Sequence, residues 1–270
     1  MSPSRILDRR TFVAGLGRGT FALAILGVAG CAPASTGSER PSVAAPASPP
    51  GGERATPGVG GPSASDDEPG PSGPSTGAWS RVNLGFVSAY VLVRNGEAAI
   101  VDTGVAGSAD AIEASLAGLG VAWAAVGHLV LTHHHGDHAG SAAEILERAP
   151  DALGYAGAED IQAITVPRPL TPVQDGDRVF DLQVITAPGH TAGSICLLDP
   201  AGSVLVAGDA LGTEGGRPTF PGAQFTDDMD EAIASVAKLG TLTFDTLLVG
   251  HGEPIEGGAS GLVAELAASR

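Results

Sequence analysis

Hydrophobic and polar positions alternate with two different periods between residues 79 and 270. Runs at 87–93 and 97–101 are apolar and β-branched, and Asn95-Gly96 between them favours a tight hairpin turn because both central positions need a positive φ. A helical stretch then begins at Ser108 and ends near Gly120. We predict further strands at 128–132, 152–155, 178–186, 194–198, 203–206 and 246–249, and further helices at 141–148, 158–164, 227–239 and 259–268, with a proline-rich loop up to residue 172.

The region 79–270 has a length that suits one domain with a sizeable core. Strands that alternate with helices are typical of the α/β class. Residues 31–78 differ, because they are rich in proline, glycine and serine and have almost no large apolar side chain. Such a segment cannot bury enough surface to offset the loss of chain entropy. We therefore predict a disordered tether at 31–78 and one folded domain at 79–270.

Residues 1–30 have the features of an export signal. Arg9-Arg10, followed by Thr11-Phe12-Val13, resembles a twin-arginine signal, and an apolar run follows at 21–28. The run ends in Val28-Ala29-Gly30-Cys31, which resembles the lipobox of bacterial lipoproteins, where the cysteine receives the lipid. We predict an exported protein that is lipid-anchored through Cys31 to the outer face of the bacterial cell membrane. The alternative is a retained signal that serves as the anchor, although its uncharged stretch is shorter than the roughly 20 apolar residues of a spanning helix.

The charge of the chain limits its partners. It has 30 Asp and Glu against 14 Lys and Arg, so its formal net charge is -16. Such a surface repels nucleic acids and anionic lipid headgroups. We expect a small-molecule substrate, no nucleic-acid partner, and membrane contact through the N-terminal lipid anchor alone. The sequence does not indicate an oligomeric state.

Cysteine usage agrees with this interpretation. If Cys31 carries a lipid, only Cys196 remains, so no intrachain disulfide can form. Cys196 lies in a strand-like run, and we predict that its thiol is buried and inert.

Metal-ligating side chains are concentrated in one ordered set of motifs. The segment 132–138 reads Thr-His-His-His-Gly-Asp-His and contains a His-X-His-X-Asp-His cluster, which three more such residues follow at wide intervals. Neutral imidazoles and carboxylates hold divalent transition metals, and seven of them are enough for two ions with an open position left over. Each also follows a predicted strand, where loop residues are exposed yet fixed. The seven candidate metal ligands are His133, His135, Asp137, His138, His190, Asp209 and His251.

Together with Ile100-Val101-Asp102-Thr103-Gly104, these residues resemble the five ordered motifs of the metallo-β-lactamase-fold hydrolases, with a metal site like that of glyoxalase II. The resemblance covers residues 79–270 and implies an α/β fold in four layers, an αββα sandwich with the site at one edge. It also implies two divalent ions, of which zinc is the one we expect and iron or manganese are alternatives. By the family pattern, His133, His135 and His190 hold the first ion, Asp137, His138 and His251 hold the second, and Asp209 bridges them.

Two ions about 3.5 to 4 Å apart can share a hydroxide and stabilise charge on the attacked oxygen. Asp137 and Asp209 are the predicted catalytic residues, because both reduce the charge of the ions and either can accept a proton. Asp102 is expected to orient a histidine or the metal-binding loop; the alternative is a simple turn aspartate. His134 is expected to point away from the metals, and His128 to be a core or edge residue.

Exclusion narrows the choice within the family. Asp209 stands where true metallo-β-lactamases carry cysteine or serine, which disfavours drug hydrolysis. Glyoxalase II enzymes add a helical domain with basic residues for glutathione, and ribonuclease-type members add a nucleic-acid-binding domain; we expect this chain to lack both. Quorum-signal lactonases use a tyrosine near the site, and neither Tyr90 nor Tyr155 can be matched to it.

Candidate substrate contacts follow from the predicted topology. They are Phe86 in the first hairpin, Arg217 and Phe220 in the loop 211–224, and Arg168 in the proline-rich loop. An arginine could pair with a substrate carboxylate or phosphate, although each is otherwise a solvated surface residue. The sequence predicts a membrane-tethered dinuclear metal hydrolase that uses a metal-bridging hydroxide on a small ester, lactone or thioester. The alternatives are a phosphodiesterase and a metal-binding surface lipoprotein without turnover.

Overall fold

The computed structural model describes residues 77–270. The predicted signal peptide (1–30) and the lipidation site Cys31 lie outside the described residues, as does the predicted tether except for its last two positions. Of these two, Ala78 belongs to the first strand. No helix among residues 77–270 has the length and apolar character needed to cross a membrane.

Strands and helices alternate along the described residues, as the hydrophobic pattern predicts. The strands are β1 (Ala78–Asn83), β2 (Ser88–Arg94), β3 (Glu97–Val101), β4 (Val126–Leu131), β5 (Leu153–Gly157), β6 (Thr171–Val173), β7 (Arg178–Val179), β8 (Leu182–Thr186), β9 (Ile195–Asp199), β10 (Val204–Val206), β11 (Gly212–Glu214), β12 (Arg217–Thr219) and β13 (Thr246–Leu248). The helices are α1 (Ala109–Gly118), α2 (Ala142–Arg148), α3 (Met229–Leu239) and α4 (Ala259–Ala267).

The strands form two large mixed sheets. The first sheet has the order β1-β2-β3-β4-β5-β6, in which the first three strands are antiparallel and β3 to β6 are parallel. The second has the order β13-β10-β9-β8-β7, in which only the β10–β13 pair is parallel. β11 and β12 form a separate hairpin.

Three apolar clusters separate four layers. One packs α1 and α2, through Ile112 and Ile145, against the outer face of the first sheet. A second fills the space between the two sheets, where Leu92 and Leu197 are fully buried. The third packs α3 and α4, through residues such as Val236, against the outer face of the second sheet. This arrangement confirms the predicted αββα sandwich.

The first predicted hairpin is confirmed. β2 and β3 pair in antiparallel register, and Asn95 and Gly96 between them have φ values of 52° and 82°. This is the backbone conformation that a two-residue turn requires of both positions.

Two predicted elements are wrong. The helix at 158–164 is only a single 3-10 turn at Ile161–Ala163, because so short a segment gains few helical hydrogen bonds against the cost of starting a helix. The strand at 178–186 is two strands, β7 and β8, since Phe180 and Asp181 both adopt positive φ and form a tight turn. Apolar residues on both sides of the turn, Val179 and Leu182, concealed it.

Four further strands were not predicted. β1 extends the first sheet at residues that the composition assigned in part to the tether. β6 lies within the expected proline-rich loop, at the edge of the first sheet. It includes Pro172, which has no backbone N–H to donate; an edge strand tolerates this because one of its sides has no partner strand. β11 and β12 lie in the loop after β10, and Gly215-Gly216 joins them with positive φ at both positions.

The loops that follow β4, β8, β10 and β13 meet at one edge of the sandwich. Because β10 and β13 are parallel neighbours, their following loops run side by side, and Gly250 N–H donates to the Gly208 carbonyl over 3.0 Å. The Gly250 carbonyl accepts a hydrogen bond of 2.9 Å from Ser88 N–H at the start of β2. Backbone hydrogen bonds therefore join both sheets where the candidate ligands lie.

Candidate metal centre

Three imidazole nitrogens of the predicted first ligand set converge. The Nε2 atoms of His133 and His190 lie 3.1 and 3.0 Å from Nδ1 of His135. Ligands that hold a tetrahedral zinc ion at about 2.0–2.1 Å lie roughly 3.3 Å apart. The spacing of the three nitrogens therefore fits one shared ion. We call these residues the first cluster.

Asp137, His138 and His251 form a second cluster, whose ligand atoms lie within 4.8 Å of one another. His251 Nε2 lies 3.2 Å from Asp137 Oδ2. His138 is fully buried, whereas Asp137 and His251 are partly exposed. The second cluster is thus open to solvent on one side, as a site that admits a substrate must be.

Asp209 lies between the two clusters. Its Oδ2 atom is 3.5 Å from His190 Nε2 and 3.2 Å from His251 Nε2. Its Oδ1 atom is 3.3 Å from His138 Nε2. One carboxylate therefore faces imidazoles of both clusters, which is the placement that a bridging ligand needs.

Two buried polar atoms at this point have no hydrogen-bond partner among the described residues. They are His138 Nε2 and Asp209 Oδ1, which are close in distance but not aligned for a hydrogen bond. An unsatisfied buried polar atom costs about 1–3 kcal/mol, so native proteins rarely leave one unpaired. Cations held between these atoms would satisfy both, and the donor set of imidazoles and carboxylates fits divalent transition metals.

Four of the five histidines are fixed through the ring nitrogen that faces away from the clusters. In each case Nδ1 has an oxygen partner, so Nδ1–H donates and Nε2 points into the site. The pairs are His133 with Thr132 Oγ1 (3.1 Å), His138 with Asp102 Oδ2 (2.8 Å), His190 with Thr226 Oγ1 (3.3 Å) and His251 with the Phe86 carbonyl (2.7 Å).

Asp102 connects the two clusters from behind. Its buried carboxylate accepts hydrogen bonds from His138 Nδ1 and from the backbone N–H and hydroxyl of Thr132. The same hydroxyl is the partner of His133 Nδ1. Asp102 also has a φ of 60°, a conformation that costs energy in a residue other than glycine and recurs at functional sites.

Asp160 is a site residue that the sequence did not reveal. Its buried carboxylate accepts hydrogen bonds from the backbone N–H of His134, from the Thr191 hydroxyl and from Gly193 N–H. It therefore ties the loop of His133 and His135 to the loop of His190. No motif signals this role, because these contacts span 26 to 33 residues of chain.

Gly250 allows the close approach of the second cluster to Asp209. A Cβ atom at this position would lie 2.3 Å from Asp209 Oδ1 and 2.4 Å from His138 Cε1. Real Cβ atoms do not approach other atoms so closely. Only glycine at position 250 leaves both side chains where they are.

The pattern of the Metallo-beta-lactamase superfamily matches residues 82–251. The matched part includes both clusters and Asp102, and it spans more than half of the chain. The chain belongs to the metallo-beta-lactamase superfamily. It is a metal-dependent hydrolase of this superfamily, and the predicted family resemblance is confirmed.

Several proteins of known sequence or structure are similar to this chain. The uncharacterized protein YobT of Bacillus subtilis is 30% identical over 197 residues, which cover 62% of this chain and 83% of YobT. A hydroxyacylglutathione hydrolase of Cupriavidus metallidurans is 34% identical over 160 residues, which cover 55% of this chain and only 56% of that enzyme. The crystal structure of TTHA1623 in a di-iron-bound form has a TM-score of 0.54 and 25% identity, covering 67% of this chain and 93% of that one.

The two clusters of this hydrolase differ in their electrostatics. Burial lowers the pKa of His133 well below its usual value, lowers that of His135, and lowers that of His190 to about 4. Burial acts in the same direction on His138, but the carboxylates of Asp102 and Asp209 overcome it and raise the pKa of His138 to about 10. Imidazoles of the first cluster are therefore neutral at pH 7, which is the form that binds metal.

Asp209 acts on the second cluster more broadly. Its carboxylate raises the pKa of His251, although burial opposes the shift. Burial alone would raise the pKa of Asp209 itself, yet the imidazoles around it hold that pKa well below the usual value. The carboxylate is thus ionised in the physiological range and able to neutralise part of the charge of a bound cation.

A cleft of about 790 Å³ opens above both clusters. Phe86, a predicted substrate contact, lines it, and so does Phe225, which the sequence analysis did not name. Phe220 lines an adjoining cavity of about 410 Å³ that shares Asp209 and His251 with the cleft.

The two candidate arginines are engaged elsewhere. Arg217 does not line the cleft or the adjoining cavity, and its guanidinium pairs with Glu265. Arg168 donates to the carbonyls of Leu146, Ala149 and Ala152, at the end of α2 and in the loop before β5.

The remaining histidines, the two tyrosines and Cys196 make contacts within the fold and belong to neither cluster. The His134 ring lies against Asp160, with Nδ1 at 3.1 Å from its carboxylate, and His128 stacks against Tyr155. The Tyr90 hydroxyl donates to the Val249 carbonyl, and burial raises the pKa of Tyr90 to about 12. Cys196 is fully buried on β9, and burial raises its pKa to about 12, so the thiol is unreactive.

Proposed function

We propose that this chain is a dinuclear metal hydrolase that cleaves small esters, lactones or thioesters. The observation that carries the proposal is the position of Asp209, whose Oδ2 atom lies 3.5 Å from His190 Nε2 and 3.2 Å from His251 Nε2. A carboxylate between two groups of imidazoles is suited to bridge two cations. The two clusters together would therefore form one reaction centre.

Bound there, two divalent ions would lower the pKa of a shared water toward neutrality and polarise the attacked carbonyl. Zinc is the metal we expect, because tetrahedral sites of imidazole and carboxylate suit it. The di-iron-bound form of TTHA1623 supports iron as an alternative, and manganese remains a third candidate. In this proposal His133, His135 and His190 would hold one ion, Asp137, His138 and His251 the other, and Asp209 both.

The chain's own residues orient the ligands and accept protons. Asp137 is only partly buried and lines the cleft, so its carboxylate can accept the proton that an attacking water loses. Thr132, Thr226 and the Phe86 carbonyl hold three imidazole rings in the orientation that directs Nε2 inward. The reaction geometry would thus be set before a substrate arrives.

Attack on a carbonyl has more support than attack on a phosphodiester. The similar hydroxyacylglutathione hydrolase is named for a thioester reaction, although the match covers only 56% of it. In addition, the charged side chains that line the cleft besides the histidines are Asp137, Asp209 and Asp227. Asp137 and Asp209 are candidate metal ligands, so away from the metals an anionic phosphodiester would find the carboxylate of Asp227 and no lysine or arginine.

The test is hydrolysis of p-nitrophenyl acetate, a γ-lactone, an acyl thioester and bis(p-nitrophenyl) phosphate by the purified, metal-loaded full-length chain. We expect the carbonyl substrates to turn over and His135→Ala to reduce the rate on the order of 100- to 1000-fold. His128→Gln removes an imidazole outside both clusters and is expected to retain the rate. Equal rates in wild type and His135→Ala would contradict the proposal, and faster turnover of the phosphate diester would favour the phosphodiesterase alternative.

We also propose that the chain is exported and held at the outer face of the cell membrane by a lipid on Cys31. The lipobox-like Val28-Ala29-Gly30-Cys31 and the preceding Arg9-Arg10 pair support this. Incorporation of labelled palmitate by the wild-type chain in a bacterial host, and its loss in Cys31→Ser, is the expected result. Absence of label from the wild type would contradict it.

A further inference from the structure

The cleft above the clusters has two exposed aromatic side chains. Large apolar side chains of the described residues that are exposed are few, and the two most exposed are Phe86 at 64% and Phe225 at 66%. Both line this cleft, whereas the other two, Val105 and Leu153, do not. Apolar surface grouped in a concave site is typical of a surface that a ligand covers.

Each phenylalanine is, or directly precedes, a residue that orients a candidate metal ligand. The Phe86 carbonyl accepts the hydrogen bond of His251 Nδ1, and the two rings are nearly parallel, with centroids 5.9 Å apart. Phe225 directly precedes Thr226, whose hydroxyl is the partner of His190 Nδ1. A molecule between Phe86 and Phe225 would therefore lie next to both His251 and His190, and so beside the reacting centre.

The cleft lacks the groups that would bind an anion at a distance from the metals. No lysine or arginine is among its lining residues, which all belong to the described part of the chain. Arg81, whose guanidinium reaches the His251 loop, is paired with Glu253 and with the Gly252 carbonyl. Asp227, in contrast, adds a carboxylate to the cleft wall. A negatively charged substituent would therefore lose its hydration without gaining an ion pair.

We infer that Phe86 and Phe225 bind an uncharged, apolar acyl chain next to the carbonyl that is attacked, and that the enzyme discriminates against acyl groups ending in a carboxylate. This inference rests on the proposed hydrolase function and specifies its substrate class. The apolar chain covers the two phenyl rings, and the carbonyl lies over the two clusters. The energy of chain burial then contributes to the transition state rather than to binding alone.

The experiment is a series of p-nitrophenyl esters with acetyl, butyryl and hexanoyl groups, hydrolysed by the metal-loaded full-length chain. One fully buried methylene corresponds to about a fourfold gain, and the cleft is open, so we expect kcat/KM to rise about tenfold from acetate to hexanoate. The mono-p-nitrophenyl ester of adipic acid has the chain length of hexanoate but ends in a carboxylate. Its kcat/KM is expected to be at least about tenfold lower than that of hexanoate, since its charge finds no partner.

Variants test whether the preference for a longer acyl chain depends on the two phenyl rings. Phe86→Ala and Phe225→Ala are each expected to reduce the ratio of kcat/KM for hexanoate to that for acetate by about threefold, and the double variant to abolish the preference. Leu153→Ala removes an exposed apolar side chain outside the cleft and should keep the wild-type ratio.

Three contrary outcomes are distinguishable. If the wild type hydrolyses all esters at similar kcat/KM, or if the phenylalanine variants keep the full preference, the inference is overturned while the hydrolase proposal stands. If no ester is hydrolysed faster than by His135→Ala, the hydrolase proposal itself fails. An adipate ester as good as hexanoate would overturn the discrimination against anions.

Discussion

The two clusters of candidate ligands lie side by side but prepare their imidazoles in opposite ways. In the first cluster, burial keeps His133, His135 and His190 neutral, with the pKa of His190 lowered to about 4. In the second, carboxylates raise the pKa of His138 to about 10 and also raise that of His251. The first cluster is therefore ready for a cation at neutral pH, whereas the second must lose a proton before it can hold one.

The largest expected effect of this difference is on how the metal affinity of each cluster depends on pH. Because His138 carries a proton below a pKa of about 10, metal at the second cluster competes with that proton, and its affinity should fall about tenfold for each pH unit. From pH 8 to pH 6 we expect a loss of about 100-fold at the second cluster. The first cluster should change less, since burial lowers the pKa of each of its imidazoles.

Titration of the metal-free chain with zinc at pH 8, 7 and 6 measures both affinities. The weaker binding step should account for the pH dependence, and the tighter step should be nearly constant. Equal pH slopes for the two steps would break the comparison.

Asp102→Asn should affect the second cluster next most strongly. The carboxylate of Asp102 accepts the hydrogen bond of His138 Nδ1, and loss of such a partner weakens metal binding by 10- to 100-fold. We expect about 50-fold at the second cluster and a smaller effect at the first, which Asp102 reaches only through Thr132. Asp110→Asn, at an exposed position on α1, is the matched control; a similar loss in both variants would contradict this role.

Gly250→Ala should weaken the second cluster by steric displacement. The added Cβ would lie within 2.4 Å of Asp209 and His138, and relief of such a clash costs about 2 kcal/mol, or roughly 30-fold in affinity. Gly261→Ala, where no atom lies near the added Cβ, is the control. Unchanged zinc affinity at the second cluster would contradict this prediction, because the backbone would then accommodate the added Cβ without a loss of free energy.

Asp160→Asn should have the smallest effect, and this effect should be on metal binding at the first cluster. Asp160 holds the backbone of His134 and the Thr191 hydroxyl, so its loss loosens the loops that carry His133 and His190. We expect about tenfold weaker binding at the first cluster. A larger loss at the second cluster would contradict the assignment.

The sequence predicted the parts of the site that local patterns encode. The strand pattern placed His190, Asp209 and His251 just past the ends of strands, and the family resemblance implied a site at one edge of the sandwich. Asp160 and Phe225 were missed, since their roles depend on contacts between loops that are distant in sequence. A lone aspartate or phenylalanine in a loop has no pattern to mark it.

The fold shows the same limit. The alternation of strands and helices follows from the hydrophobic periods, and the αββα layers were implied by the family resemblance. The division of 178–186 into β7 and β8, in contrast, depends on two positive φ angles at Phe180 and Asp181. Asp181 tolerates that conformation readily, whereas Phe180 rarely adopts it. β1 was missed because Ser80, Arg81 and Asn83 leave its apolar pattern too weak to mark a strand. Tertiary pairing, not local preference, decides such elements.

The most direct test of the account is the metal content of the purified full-length chain, measured by elemental mass spectrometry, with Asp209→Ala as the test variant and Asp110→Ala as the control. Since Asp209 faces both clusters, the account predicts about two ions per chain in wild type and control, and about one or fewer in Asp209→Ala. One ion or none in the wild type, unchanged by Asp209→Ala, would contradict the bridged dinuclear centre.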